Sequence, residues 1–141
     1  MGQLSFEKQF EIIGSDFARA GSVSTQVKSL LKEIGVHPEI VRRVAIATYE
    51  AEMNVVMYAE KGRLNFEVSP EAVRMELNDR GRGIDNIELA MQEGYSTATD
   101  EMREMGFGAG MGLPNIKKNC DLFEIESTPG VGTSLRLTID L

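Results

Sequence analysis

"HPEIVRRVAIATYEAEMNVVMYAE" spans His37–Glu60 and decides the fold. Pro38 suits the first turn of a helix, where its missing N–H is no loss. Ile40, Val44, Ala47, Ala51 and Val55 then recur at helical spacing. The stripe predicts a long helix to about Ala59, ended by Gly62. A single apolar stripe on so long a helix needs a broad surface to cover it. Glu50 and Asn54 stand four apart, so they project from one face of this helix. His37, just before Pro38, reads as a surface or capping residue.

The segments on either side have patterns of their own. Leu4 to Ile13 alternates, with Leu4, Phe6, Phe10 and Ile12 on one face interrupted by Lys8, and reads as a strand. Val23, Val27, Leu30, Leu31 and Ile34 follow helical spacing, with Gly35 as a glycine stop. Beyond Gly62, Leu64 to Val68 and Val73 to Leu77 read as strands around the turn "SPEA", and "NDRGRGID" as a loop. Ile87 to Met91 is a short helical turn. Gly94 to Gly110 is polar, has no periodicity and reads as a long functional loop. Met111 to Asn119 is helical. Leu122 to Ser127 and Thr133 to Leu141 pair across "TPGVG" as a hairpin. Helices and strands do not alternate regularly. The order therefore predicts an α+β fold, a mixed and mainly antiparallel sheet with helices on one face.

Size and composition narrow the function. The 141 residues argue for a single domain, 1–141, able to bury a core without disulfides or a structural metal. One cysteine, Cys120, and one histidine make a zinc site improbable and suit a reducing cytoplasm. The net charge of −7 argues against a nucleic-acid partner, which requires a basic face. No basic-then-apolar start suggests a secretory signal, and no apolar run is long enough to span a membrane.

"MGFGAGMGLPNIKK" (Met105–Lys118) places Gly106, Gly108, Gly110 and Gly112 at a helix start. The cluster matches neither G-x-x-x-x-G-K-[ST] nor G-x-G-x-x-G, since Met111 or Leu113 falls where the last glycine belongs. Glycines still allow close backbone approach, and the unpaired N–H groups of a helix start attract an anion. A hinge without a ligand is the other reading. Glu50 and Asn54 could hold a hydrated Mg²⁺ together with a water or hydroxyl, or could be a solvated pair. Asp79 ends an apolar strand and precedes Gly81 and Gly83. There a carboxylate can accept from an exocyclic amine beside room for a flat ring, although Asp and Gly are also ordinary turn residues.

Together, and in this order, these segments resemble the GHKL or Bergerat-fold ATPases. Glu50 and Asn54 match the E-x-x-x-N box, and Asp79, Gly81 and Gly83 match D-x-G-x-G. Gly106 to Gly112 match the glycine-rich box, and Gly130, Gly132 and Thr133 match the late G-x-G-T. Within that superfamily the chain is similar to the anti-sigma-factor and switch-kinase branch (RsbW- and RsbT-like serine kinases), "MYAEKG" and "GYST" included.

The resemblance implies a two-layer sandwich with an ATP lid over about 94–110. It implies ATP and Mg²⁺ as cofactors and phosphorylation of a serine or threonine on a STAS-domain antagonist. A sigma factor is a further possible partner, and a homodimer a possible state. Asp79, aided by Thr133, would bind the adenine amine; guanine would offer a carbonyl to that carboxylate, acceptor against acceptor. Asn54 would ligate Mg²⁺, and Glu50 would be the general base. Gly81 and Gly83 would adjoin the base. Gly106, Gly108, Gly110, Met111, Gly112 and Leu113 would supply the hinge and floor for the phosphates. Arg82 and Arg103 are candidates for the γ-phosphate.

Asp100, Glu101 and Glu104 are expected to face solvent, and Met91, Met102, Met105 and Met111 to pack in the core. A sensor histidine kinase is disfavoured because His37 does not sit on a dimerisation helix ahead of the ATP domain. A DNA machine of the gyrase or MutL type would need a second catalytic domain. The rivals that stay open are a non-catalytic ATP/ADP-dependent binding switch and a simple ATPase.

Overall fold

The computed structural model describes residues 5–93 and 112–141. The glycine positions 106, 108 and 110, Met111, Arg103 and the expected lid lie outside the described residues, as does Leu4. The order is β1 (Phe6–Ile13), α1 (Ser22–Ile34), α2 (Pro38–Tyr58), β2 (Ala59–Val68), β3 (Ala72–Gly81), α3 (Ile87–Ala90), α4 (Gly112–Asn119), β4 (Leu122–Thr128) and β5 (Gly132–Asp140). The five strands form one sheet in the order β1-β2-β3-β5-β4, antiparallel at every pairing.

Helix α2 starts as its sequence dictates. His37 caps it, its Nδ1 accepting from Glu39 N at 3.1 Å, and Pro38 follows in the first turn. Val44, Ala47, Ala51 and Val55 are buried, as the stripe requires. Val41, Thr48, Met53 and Val56 are buried as well. The stripe is widened because α2 packs on α1 on one side, on α4 on the other and on the sheet beneath. The sheet contributes Leu64, Phe66, Met75, Leu77, Leu135 and Leu137 to that core, on alternate positions. The opposite face is open and charged. There Arg63 pairs with Glu11, Arg74 with Glu67 and Arg136 with Glu76 across neighbouring strands.

The structure departs from the sequence reading at three places. Gly62 does not end α2: the helix stops at Tyr58 and β2 begins at Ala59, so Gly62 lies inside a strand. A Cβ there would stand 2.9 Å from Val55 Cγ2, so glycine is required by helix α2 overhead rather than by a turn. Asn78 to Gly81 extend β3 instead of forming a loop, because Gly62, Lys61 and Ala59 continue to pair with them. On edge strand β1 only Phe10 and Ile12 are buried, while Phe6 and Lys8 are exposed.

Glu52 is buried at 2% exposure on α2, two residues from Glu50. Its carboxylate accepts from Gly21 N and Val23 N, each at 3.1 Å, and from Ser24 N at 3.0 Å. Helix α1 has no side-chain cap of its own, so a carboxylate from the next helix satisfies the donors of its first turn. Glu52→Ala should therefore cost about 3 kcal/mol in denaturant unfolding, because it strands three N–H groups. Burial pushes the Glu52 carboxyl above the ordinary 4.5, against the lowering pull of those three N–H groups. The folded state then holds this proton more firmly than the unfolded chain. Glu52's contribution accordingly falls as pH rises from 4.5 through the raised folded value, and Glu52→Gln should flatten that slope.

Candidate functional site

The ends of α2, β3 and β5, the start of α4, and α3 with the loop before it enclose a cleft of about 360 Å³. Asn54 and Tyr58 enter it from α2, Asp79 from β3 and Thr133 from β5. Gly112 and Leu113, the first residues of α4, close one end. Leu77, Ile84, Leu89 and Leu135 make its walls largely apolar.

Asp79 Oδ1 accepts from Thr133 N at 3.0 Å, its one hydrogen bond among the described residues. Burial raises its carboxyl above the ordinary 3.8, and the Thr133 N–H opposes that shift. The backbone around Asp79 is packed against the hairpin. A Cβ on Gly132 would lie 2.1 Å from the Asp79 carbonyl oxygen and 3.2 Å from Oδ1. Ser127 ties the same corner together: its Oγ accepts from Ile84 N at 2.8 Å, donates to Gly132 O at 3.0 Å and lies 2.8 Å from Thr133 Oγ1. Gly83 has φ +72, and a Cβ there would stand 2.4 Å from Thr128 O. Only glycine fits, and the loop is drawn tight beneath the cleft. The Arg82 guanidinium lies 4.4 Å from the centroid of the Tyr58 ring, and both residues line the cleft.

Of the residues singled out from sequence, Asn54, Asp79, Arg82, Gly83, Gly112, Leu113 and Thr133 meet at this cleft. Gly81 does not line it. A Cβ on Gly81 would meet Ala59 Cα at 2.7 Å and Tyr58 O at 2.9 Å, so this glycine serves the junction between α2 and β2. Glu50 stands beside the cleft, one turn before Asn54, and its Oε2 accepts from Asn115 Nδ2 at 2.8 Å. Gly132, Ser127 and Asn115 were not expected at the site. The late G-x-G-T motif contained the signal for Gly132, but no local pattern marks the other two.

The motif spacing thus becomes one pocket with a carboxylate, a carboxamide and a helix start converging on it. The family model of the histidine kinase-like ATPase domain matches residues 13–139, nearly the whole of these elements. The chain belongs to that family. As a histidine kinase-like ATPase domain it is 29% identical over 113 residues to the serine/threonine-protein kinase RsbT of Bacillus subtilis (strain 168), covering 77% of this chain and 79% of that one. It is 30% identical over 119 residues to the anti-sigma F factor of Thermoanaerobacter sp. (strain X514), covering 81% and 80% respectively. The anti-sigma F factor of Clostridium acetobutylicum is 30% identical over 114 residues, covering 77% and 76%. Among the described residues, no helix is long and apolar enough to cross a membrane.

The residues present in this ATPase domain fit an adenine nucleotide. An apolar slot ends in a carboxylate with one oxygen engaged by Thr133, which leaves acceptor capacity for an amine. Among the described residues no group of three or more His, Cys, Asp or Glu could hold a metal ion.

Gly132→Ala should destabilise the fold by about 2 kcal/mol or more, since its Cβ collides with the Asp79 backbone. Chemical denaturation checks this, and an unchanged midpoint would mean that β5 can shift away from β3 at no cost.

Proposed function

We propose that this protein is an ATP-dependent serine/threonine-protein kinase of the anti-sigma type, acting on a STAS-domain antagonist in the cytoplasm and controlling a partner such as a sigma factor. The observation that carries this reading is the placement of Glu50 and Asn54 on one face of α2, with Asn54 in the cleft and Glu50 held beside it by Asn115. The names of the relatives, a serine/threonine-protein kinase and anti-sigma F factors, support it.

Each residue has a role of its own. Asp79 accepts from the adenine amine, and Thr133 keeps its carboxylate turned. Asn54 would hold Mg²⁺ through its carboxamide oxygen, and the ion would supply neutralisation of phosphate charge. Gly112 and Leu113 present backbone N–H groups at the start of α4, where the helix dipole favours an anion. Glu50 takes the proton of the acceptor hydroxyl as its oxygen bonds to the γ-phosphorus and the bond to the β–γ bridging oxygen breaks, leaving ADP. Positioning and charge neutralisation supply most of the acceleration.

Glu50 lies outside the residues that line the cleft, which favours a second reading: a nucleotide-dependent binding switch that transfers nothing. The two readings separate when the protein is incubated with Mg²⁺ and γ-labelled ATP alongside STAS-domain proteins encoded near it. The kinase places label on a serine or threonine, and Glu50→Ala removes it while ADP still binds. Tight ATP binding with no label on any acceptor supports the switch.

Asp79→Asn should weaken ADP binding about tenfold or more, in line with loss of a charged hydrogen-bond acceptor. Because burial raises the Asp79 carboxyl, it takes up a proton at a higher pH than an ordinary aspartate. Affinity for ADP should therefore decline as pH falls toward that raised value. Titration calorimetry across mildly acidic pH checks this, with Asp79→Asn as the flat reference.

A further inference from the structure

Helices α2 and α4 run side by side in opposite directions, and their polar residues meet in register. Gly112 faces Asn54, with a Cβ on Gly112 falling 3.4 Å from Asn54 Oδ1. Three residues on, Asn115 donates from Nδ2 to Glu50 Oε2 at 2.8 Å. Four residues further, the Asn119 carbonyl accepts from Arg43 Nε at 3.1 Å. Steps of three and four along one helix thus match steps of four and seven along the other, as expected of residues on facing stripes.

The far end of α4 is fixed independently. Arg43 also pairs with Asp121 Oδ1 at 3.3 Å, and Asp121 Oδ2 accepts from Asp140 N at 2.7 Å on β5. Asn119 Nδ2 bonds back to the Asn115 carbonyl at 2.8 Å. Asn115 is therefore held on a helix anchored to both α2 and the sheet, and its carboxamide is aimed at Glu50.

We propose that Asn115 is a positioning residue for phosphoryl transfer, holding Glu50 by Oε2 so that Oε1 is left to meet the acceptor hydroxyl. This rests on Glu50 being the base, as proposed above. Glutamate has three rotatable side-chain bonds, and a half-exposed glutamate with no partner would spread over several rotamers. A carboxamide suits the task. It donates without adding a charge, and the hydrogen bond from a neutral donor leaves Glu50 a proton acceptor. Among the described residues Oε1 accepts from no protein group. The same α4 segment lines the cleft through Gly112 and Leu113, so one short helix contacts the nucleotide site and sets the base.

Two measurements test this in the whole chain. The first needs no activity. The side-chain amide signals of Asn115 in ¹⁵N-labelled protein, assigned by their loss in Asn115→Ser, should move when Glu50 is replaced in Glu50→Gln. If they do not move, the contact is absent in solution and the proposal fails. The second uses γ-labelled ATP and the acceptor protein. Asn115→Leu should lower kcat about tenfold or more while the KM for ATP holds, part of the range that a positioned base contributes. Worsening of kcat and the ATP KM together would make Asn115 merely structural and overturn its role. If Asn115→Leu does not fold, Asn115→Ser serves in its place. Absence of transfer by the unaltered chain would overturn the kinase reading and this role with it. Transfer that Asn115→Leu leaves intact would overturn the role of Asn115 alone.

Discussion

No residue separates α2 from β2: Tyr58 ends the helix and Ala59 opens the strand. The connection has no slack, so it constrains how the helix lies over the sheet. Ala59 pairs with Gly81, and Gly14 and Gly81 both press on Ala59 so closely that a Cβ on either would collide with its backbone. This junction sets the distance between Asn54, one turn back on the helix, and Asp79, two residues back on β3. Both residues thereby come to one cleft.

Around the junction, α2 carries three polar residues with separate tasks. Asn54 faces the cleft, Glu50 faces α4 and Glu52 faces the start of α1. Glu50 and Glu52 differ by two positions, which on a helix means nearly opposite sides. One carboxylate is half-exposed and held by a single carboxamide. The other is buried and accepts three backbone N–H groups. Burial of a charge is tolerable only with such partners, which explains why Glu52 faces the start of α1.

Much of this was legible in the sequence. The stripe through Val44, Ala47, Ala51 and Val55 marks α2 because one-sided burial leaves a 3.6-residue period. The motifs containing Asn54, Asp79, Gly83, Gly112 and Thr133 identify residues that do meet at the cleft. What escaped the sequence depends on contacts made far along the chain. Gly62 looks like a helix stop, yet it is glycine because Val55 lies over it. Asn78 to Gly81 look like a turn, yet β2 pairs with them. Glu52 and Asn115 look like ordinary surface residues, and only the packing of α1 and α4 against α2 reveals their partners. Gly81, read as a cleft glycine, is spent on the backbone of the helix-to-strand junction.

The open face of the sheet bears on how copies of the chain meet. Both edge strands carry exposed acids on that open face, Glu7 and Glu11 on β1 and Glu124 and Glu126 on β4, with Glu11 paired to Arg63. Two molecules pairing edge to edge would set these acids in neighbouring rows of one face, where like charges across strands are unfavourable. The arrangement works as a gatekeeper against runaway sheet growth, the hazard that unpaired edges carry. It is an electrostatic guard, so its reach is that of the Debye length, and it shortens as salt is added.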